Sequence, residues 1–211
     1  VVGHTRSAHF CTLFGNVPGY DTTYNENNDA FVFKVKPDGS GLAYCTFLGG
    51  NDWDLASAVV AAPDGSALVA GGTWSADFPT TAAAPFPTHN GQRDVFIARL
   101  SPDGTMLTSA TFLGGSGQEE ARAMVTDAAG HFLLTGWTNS ADLPTTPDAA
   151  QPDYGGNFDS FVAALNAADD AIRLHEVVDR IAFLQKLRII RDVEGDLCAR
   201  CDEVTNFVAR S

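Results

Sequence analysis

The pentapeptide Asp-Val-Phe-Ile-Ala at residues 94–98 decides the fold, because related copies stand 65 residues to either side of it. Asp-Ala-Phe-Val-Phe occupies residues 29–33, and Asp-Ser-Phe-Val-Ala occupies residues 159–163. The same offset carries Thr-Phe-Leu-Gly-Gly at 46–50 onto an identical copy at 111–115. Several matches at one spacing indicate a repeated supersecondary unit.

Within one period, short β-type runs are separated by turn signals. The runs cover residues 31–36, 42–48, 56–61 and 67–71, and Pro-Asp-Gly-Ser follows the first and the third of them. Proline presets φ in such a turn, aspartate hydrogen-bonds the local backbone and glycine adopts positive φ at little cost. Four short strands per unit without a helical period are typical of a β-propeller blade.

Five motifs recur in fixed order over about residues 1–168: Asp-x-Phe-Val-x-x-Leu, Pro-Asp-Gly-Ser, Thr-Phe-Leu-Gly-Gly, Ala-Val-x-x-Asp-x-x-Gly and Ala-Asp-Phe-Pro-Thr-Thr. Together they resemble the bacterial β-propeller repeat abbreviated SBBP. The resemblance implies a propeller scaffold of the kind found mostly in secreted or surface-attached proteins. It carries no standard catalytic residues to this chain.

The phase of the repeat predicts an incomplete propeller of about two and a half four-stranded blades. In related propellers the strand that corresponds to residues 121–127 lies nearest the central axis. Residues 1–5 then align with residues 134–138 as the second strand of a partial first blade. One complete blade is predicted over about 55–115, and the third is predicted to stop after its third strand, 161–165. Such an open array exposes β-edges, and three explanations are open. The chain is part of a longer protein, several copies assemble a ring, or a partner covers the edges.

The repeat pattern ends after residue 168. Residues 169–211 contain no proline and a single glycine, Gly195. We therefore divide the chain into a propeller segment, 1–168, and a helical tail or the start of a second domain, 169–211. An amphipathic helix is predicted from 169 to about 192, because apolar residues recur there at steps of three and four. These residues are Ile172, Leu174, Val177, Val178, Ile181, Leu184 and Leu187. The apolar stripe of such a helix requires a docking surface.

The charge distribution argues against nucleic acid as a partner. The net charge is −13, and residues 1–168 hold 6 basic and 17 acidic side chains. Phosphate contacts need basic groups, and the repeat region has few. No run of about 18 apolar residues occurs in the sequence, so we expect no membrane span.

Two sets of residues are candidates for ligand binding within the repeats. Trp53, Trp74 and Trp137 are candidates for a glycan-binding face, with core packing as the alternative role. Asp52 and Asp54 stand where the strand nearest the axis is predicted to begin. Carboxylates and carbonyls at that place could bind Ca²⁺, and a solvated turn is the alternative.

The cysteines allow further alternatives. Cys198 and Cys201 form a C-x-x-C pair, which suits zinc, an iron–sulfur cluster or a disulfide, and His175 is the nearest further zinc ligand. Cys11 and Cys45 both belong to the first partial blade. They are predicted either to form a disulfide or to fill small core positions.

These observations predict a non-enzymatic scaffold or interaction subunit, located outside the cytoplasm at the cell surface, in the periplasm or in the extracellular space. The long connections 75–93 and 140–158 are expected to present recognition loops from a rigid stack of blades. A carbohydrate-binding propeller module is the first alternative, and a metal or redox site in the tail is the second. We expect no cofactor, with zinc or calcium as the alternative.

Overall fold

The computed structural model describes residues 1–25, 27–126, 131–146, 149, 153–166 and 173–179. Over this part the protein is mainly β, as the sequence predicts. A short 3₁₀ helix spans Cys11–Phe14. The strands are β1 (Val2–Thr5), β2 (Asp29–Val35), β3 (Leu42–Leu48), β4 (Asp54–Ala61), β5 (Ala67–Thr73), β6 (Asp94–Leu100), β7 (Leu107–Leu113), β8 (Glu119–Thr126), β9 (Phe132–Thr138), β10 (Asp159–Asn166) and β11 (Arg173–Asp179).

The strands form three antiparallel sheets, and in each sheet neighbours in sequence are neighbours in space. Sheet 1 has the order β1-β2-β3, sheet 2 the order β4-β5-β6-β7 and sheet 3 the order β8-β9-β10-β11. Short hairpins with Pro-Asp-Gly or related turns make this meander the simplest pairing for such a sequence. No helix in the described part of the chain is long and apolar enough to cross a bilayer.

The repeat places equivalent phenylalanines at equivalent positions of the three sheets. Each of them lies in the centre of its sheet, opposite a glycine of the preceding strand. The pairs are Phe31 with Gly3, Phe96 with Gly71 and Phe161 with Gly136. The three sheets thus have the same pairing of phenylalanine with glycine between these two strands.

The helix predicted over 169–192 is wrong for Arg173–Asp179, which forms β11 and pairs antiparallel with β10. The third sheet therefore has four strands and does not stop after its third. Leu174 lies opposite Leu165 and is followed by a register shift, as Leu107 is opposite Leu100. Pairing with the edge of β10 satisfies backbone groups that would otherwise remain open. The other residues of the predicted helix lie outside the described residues.

Two apolar layers hold the sheets face to face. One layer joins sheet 1 to sheet 2 and contains Val32, Tyr44 and Phe96. The other joins sheet 2 to sheet 3 and contains Ile97 and Leu134. Sheet 2 lies between its neighbours, and consequently every residue of β6 is buried.

The connection between β5 and β6 packs along its own sheet. Phe78 is buried, and its ring stacks on Phe96 with the centroids 4.5 Å apart. Thr81 N–H donates to the carbonyl of Ala110, and Phe86 O accepts from the N–H of Phe112, at 3.1 and 3.0 Å. These contacts cover the outer edge of β7. This part of residues 75–93 therefore packs on its own sheet and does not project from it as a loop.

Cys11 and Cys45 form a disulfide, which decides between the two alternatives that the sequence left open. The bond joins the 3₁₀ helix to β3, and the two Cα atoms are 5.4 Å apart. Both cysteines are buried, in a small cluster with Leu42 and Phe47. The disulfide therefore fastens the connection between β1 and β2 onto the outer strand of sheet 1.

Candidate functional site

One end of the three sheets collects the residues that the sequence singled out. At this end, which we call the rim, β1, β5 and β9 finish while β4, β6, β8 and β10 begin. A continuous series of side chains crosses the rim, and we call it the aromatic–arginine row. Its members are, in spatial order, Arg6, Trp53, Trp74, Arg93, Trp137 and Phe158.

Arg93 stands at the centre of the aromatic–arginine row. Its guanidinium carbon lies 4.6 Å from the ring centroid of Trp74 and 4.7 Å from that of Trp137. Trp74 belongs to sheet 2 and Trp137 to sheet 3, so a single cation bridges two sheets through two indole rings. A guanidinium over an indole is stabilised by the ring quadrupole, by about 1–2 kcal/mol when partly desolvated.

Backbone and carboxylate contacts fix the position of Arg93. Its Nη2 forms an ion pair with Glu120 Oε2 at 2.8 Å, and its Nε donates to the carbonyl of Glu119 at 3.0 Å. The residue is only 7% exposed. Both partners lie at the start of β8, so Arg93 fastens sheet 2 to sheet 3 in addition to ordering the two tryptophans.

We expect Arg93→Met to lower the free energy of unfolding by about 1–3 kcal/mol, because it removes a buried charged hydrogen bond and leaves Glu120 without it. Arg122→Met is the matched control. Arg122 also pairs with Glu120, at 2.9 Å, but its side chain is 58% exposed. An exposed pair contributes roughly 0–1 kcal/mol. Urea denaturation of both variants checks the difference, and equal losses would contradict the role given to Arg93.

The two ends of the aromatic–arginine row are open to solvent. Trp53 is 41% exposed, and Phe158 is 63% exposed. Trp53 and Trp74 pack in a T-shaped arrangement with ring centroids 6.2 Å apart, and the guanidinium carbon of Arg6 lies 5.2 Å from the ring centroid of Trp53. Trp74 and Trp137 are half-buried, and each has the guanidinium of Arg93 over its ring. The row thus offers one exposed aromatic ring near each end.

Asp54 does not belong to an open ligand site. It is fully buried, and its Oδ2 accepts hydrogen bonds from the N–H of Gly50 at 2.9 Å and from Ser75 Oγ at 2.8 Å. The solvated turn that the sequence offered as an alternative does not describe this carboxylate, because it is buried. Asp52 is exposed, and its carboxylate accepts only from the N–H of Trp53 among the described residues.

The arrangement around Asp54 is repeated in sheet 3 by Glu119. Glu119 Oε2 accepts from the N–H of Gly115 at 2.9 Å, and Oε1 accepts from Thr138 Oγ1 and Ser140 Oγ at 2.5 Å each. We call this unit the carboxylate latch. It consists of an acidic residue that begins the first strand and a Thr-x-Ser sequence that ends the second. Each latch fixes the register of those two strands at the rim.

A second row of buried carboxylates begins β2 and β6. Asp29 Oδ2 accepts from the N–H of Asn25, and Asp94 Oδ2 from that of Asn90, both at 2.8 Å. Burial raises the pKa of Asp29 to about 6 and that of Asp54 to about 7. Desolvation also raises the pKa of Asp94 and of Glu119. The rim therefore contains carboxyl groups that titrate near neutral pH.

A polar cleft of about 410 Å³ opens beside sheet 1. Its lining includes Tyr20, Asp21, Asn51 and Asp77. Asp77 is already engaged, because Oδ1 accepts from the N–H of Asn51 at 2.9 Å and Oδ2 accepts from the side-chain amide of the same residue. No group of three or more His, Cys, Asp or Glu is arranged to hold a metal ion in the described ranges.

The metal site predicted from His175, Cys198 and Cys201 stays a prediction, because the structure describes only one of these residues. His175 lies in β11, which pairs with β10. Cys198 and Cys201 lie outside the described residues. Comparison with protein-family models and with curated proteins yields no match to this chain.

Sequence reasoning found three members of the aromatic–arginine row and missed Arg6, Arg93 and Phe158. Arg93 and Phe158 stand 65 residues apart. Each directly precedes the aspartate that begins its copy of the repeated pentapeptide. The available signal was that this repeat position, next to a buried strand, holds a cation in one copy and a large aromatic ring in another. It points to a residue that packs on the rim.

Proposed function

We propose that this chain is a non-enzymatic scaffold and interaction subunit, built from β-propeller blades of the SBBP type, in a larger extracytoplasmic assembly. The aromatic–arginine row is the observation that carries the proposal. Tryptophan and arginine are enriched among the residues that dominate protein–protein binding energy. The row supplies both residue types on a framework that is fixed by Arg93, and it exposes Trp53 and Phe158 to a partner.

Two further observations support the propeller architecture and the location. The sheets share one register and pack face to face in chain order, as successive blades do. The disulfide between Cys11 and Cys45 is of a kind that persists in oxidising compartments, which supports a location outside the cytoplasm.

The test is the mass of the protein purified from its native host, measured by sedimentation velocity. We expect a complex of fixed stoichiometry, heavier than the single polypeptide chain of the same preparation measured under denaturing conditions. The double variant Trp53→Ala, Phe158→Ala is expected to lose the complex while its melting temperature stays within about 3 °C of the wild type. Met106→Ala is the control, because Met106 is exposed at a turn on the opposite end of sheet 2. A monodisperse single polypeptide chain would overturn the proposal.

Carbohydrate binding is the second candidate function, and the exposed ring of Trp53 beside Asp52 favours it. An indole face stacks well on a sugar ring, and Trp53 is the exposed one of the three tryptophans, although the guanidinium of Arg6 lies 5.2 Å from its ring centroid. In that case the protein remains a monomer that binds glycans on an array. Trp53→Ala removes the binding, and Met106→Ala does not.

A further inference from the structure

We infer that the polar cleft beside sheet 1 is a binding site for a guanidinium group. Tyr20 and Asp21, in the connection between β1 and β2, line the cleft together with Asp77, which follows β5. The glycine turn at residues 49–50 lines it as well. Pockets of about 300–1,000 Å³ hold small organic ligands, and this cleft has about 410 Å³. The cleft shares no residue with the aromatic–arginine row and is independent of the proposed function.

The lining of the cleft offers hydrogen-bond acceptors more than donors. Four of its backbone N–H groups already donate to side chains of the protein at 2.8 or 2.9 Å, those of Asp21, Asn25, Gly50 and Asn51. The carboxylate of Asp21 accepts a single hydrogen bond from the described residues, from the N–H of Thr23 to Oδ1 at 2.8 Å. Its Oδ2 is therefore open to a donor. A guanidinium matches this lining, because it carries five N–H donors and no acceptor.

Three carboxylates give the cleft a negative charge, and no arginine or lysine pairs with any of them within the described ranges. Asp21 and Asp77 line the cleft, and Asp29 lies behind it, where its Oδ2 accepts from the N–H of Asn25. Asp29 is fully buried, and its Oδ1 has no hydrogen-bond partner in the described part of the chain. Burial raises the pKa of Asp29, and the charge of Asp21 raises it further. A bound cation would supply the missing counter-charge.

Tyr20 and Asp21 are adjacent in the sequence and offer the two contacts that a guanidinium favours. The planar fork pairs with a carboxylate through two parallel N–H···O bonds, and its face stacks on an aromatic ring. Tyr20 is 38% exposed, so its ring is available for stacking. A lysine ammonium has no planar fork, and a calcium ion takes about six to eight oxygen ligands. An aromatic ring next to an open carboxylate therefore favours the guanidinium over either of them.

Comparison with sheet 2 shows that the local backbone does not require an acid at position 21. The residue 65 positions further on is Phe86. The N–H of Asp21 donates to Thr46 Oγ1 of β3 at 2.8 Å. The N–H of Phe86 donates to the equivalent hydroxyl, that of Thr111 in β7, at 3.0 Å. Phe86 packs against the apolar core, so the same backbone position carries a core side chain in sheet 2 and a cleft carboxylate in sheet 1.

The probe for the test is the peptide acetyl-Gly-Arg-Gly-amide, titrated into the full chain and followed by the amide NMR signals of the protein. We expect saturable shifts at Asn25, Gly50 and Asn51. The peptide with lysine in place of arginine is expected to bind about fivefold more weakly, because it lacks the planar fork. Agmatine carries the same guanidinium without a peptide. Tighter binding of the peptide assigns the group to an arginine side chain of a polypeptide, and tighter binding of agmatine assigns it to a free small molecule.

Variants of the protein separate the cleft from general attraction by an acidic chain. Asp21→Asn is expected to weaken peptide binding about tenfold, because it keeps the shape of the side chain and removes its charge. Asp21→Phe, which installs the residue that sheet 2 carries at this position, is expected to abolish binding. Asp52→Asn is the matched control, because it removes the same charge from an exposed residue next to the cleft and leaves binding within about twofold. Thermal melts establish that each variant is folded, and either variant of Asp21 suffices.

Three results would overturn the assignment of this cleft to a guanidinium. They are the absence of saturable shifts, equal affinity for the arginine and lysine peptides, and equal weakening by Asp21→Asn and Asp52→Asn. Phe158→Ala, which alters the aromatic–arginine row, is expected to leave peptide binding unchanged. Failure at the cleft is therefore distinct from failure of the proposed function.

Discussion

Gly71→Ala is expected to lower the free energy of unfolding by more than about 3 kcal/mol, and folding itself fails if the wild type is only marginally stable. An added Cβ would lie 1.9 Å from the carbonyl oxygen of Leu55 and 2.8 Å from Cα of Ala56. Both atoms belong to backbone that pairs with β5, so neither can move without loss of ladder hydrogen bonds. Urea denaturation followed by circular dichroism measures the effect.

Gly72→Ala is the matched control for this prediction. Gly72 is the next residue of β5, and its added Cβ would meet Cδ of Arg93 at 3.1 Å. A side chain can shift by a few tenths of an ångström, so the expected loss is below about 1 kcal/mol. Equal losses in the two variants would show that the close approach of β4 is not the cause. If Gly71→Ala were as stable as the wild type, the close packing of β4 against β5 at this residue would be wrong.

The repeat predicted most of the fold because identical residues at one offset must occupy equivalent environments. Phe31, Phe96 and Phe161 do so, each opposite a glycine. β11 was missed for a physical reason. The turn from Leu165 to Leu174 is two residues longer than the one from Leu100 to Leu107, which breaks the offset. A bulged strand also changes its side-chain alternation, so apolar spacings of three and four do not distinguish it from a helix.

The site could be predicted only in part, because its members come from different sheets. Trp74 and Trp137 were candidates, although they are two positions out of phase in the repeat. They meet because Arg93 lies between them and reaches from sheet 2 to sheet 3. A one-dimensional comparison of repeats shows which positions are equivalent. It does not show which positions of neighbouring sheets face each other.

Asp54 illustrates the same limit for a polar residue. Its sequence neighbours, Asp52 and Trp53, are exposed, so the local pattern favoured a surface turn. Its hydrogen-bond donor Ser75 is 21 residues away, and Gly50 closes the other side of the carboxylate. The Thr-x-Ser sequence that recurs at the end of β1, β5 and β9 was the available signal. Hydroxyls at a strand end, facing the acidic start of the adjacent strand, predict a buried pair.

The buried carboxyl groups make stability depend on pH, and we expect the free energy of unfolding to fall by about 2–4 kcal/mol between pH 5 and pH 8. Burial raises the pKa of Asp54 to about 7 and of Asp29 to about 6, from 3.8. The folded state therefore holds protons that the unfolded chain has released. This contribution is complete below about pH 4 and is lost as the pH rises through 6 and 7.

Exposed aspartates act at a different pH. Hydrogen bonds from serines lower the pKa of Asp64 and of Asp103. Any stability that these carboxylates add is therefore lost only when the pH falls below the ordinary pKa of aspartate. Growing repulsion within a chain of net charge −13 also weakens the fold as the pH rises, and a variant must separate the two effects. Asp54→Asn does so, because asparagine has the shape of the protonated acid and does not titrate.

We expect Asp54→Asn to remove roughly half of the fall in the free energy of unfolding between pH 5 and pH 8, since Asp54 has the higher of the two stated pKa values. Asp52→Asn is the control, because it removes the same formal charge from an exposed position two residues away. The measurement is urea denaturation at fixed ionic strength, with a chelator present, at half-unit steps of pH. If the two variants retain the same dependence on pH, general charge repulsion governs the effect and the assignment to Asp54 is wrong.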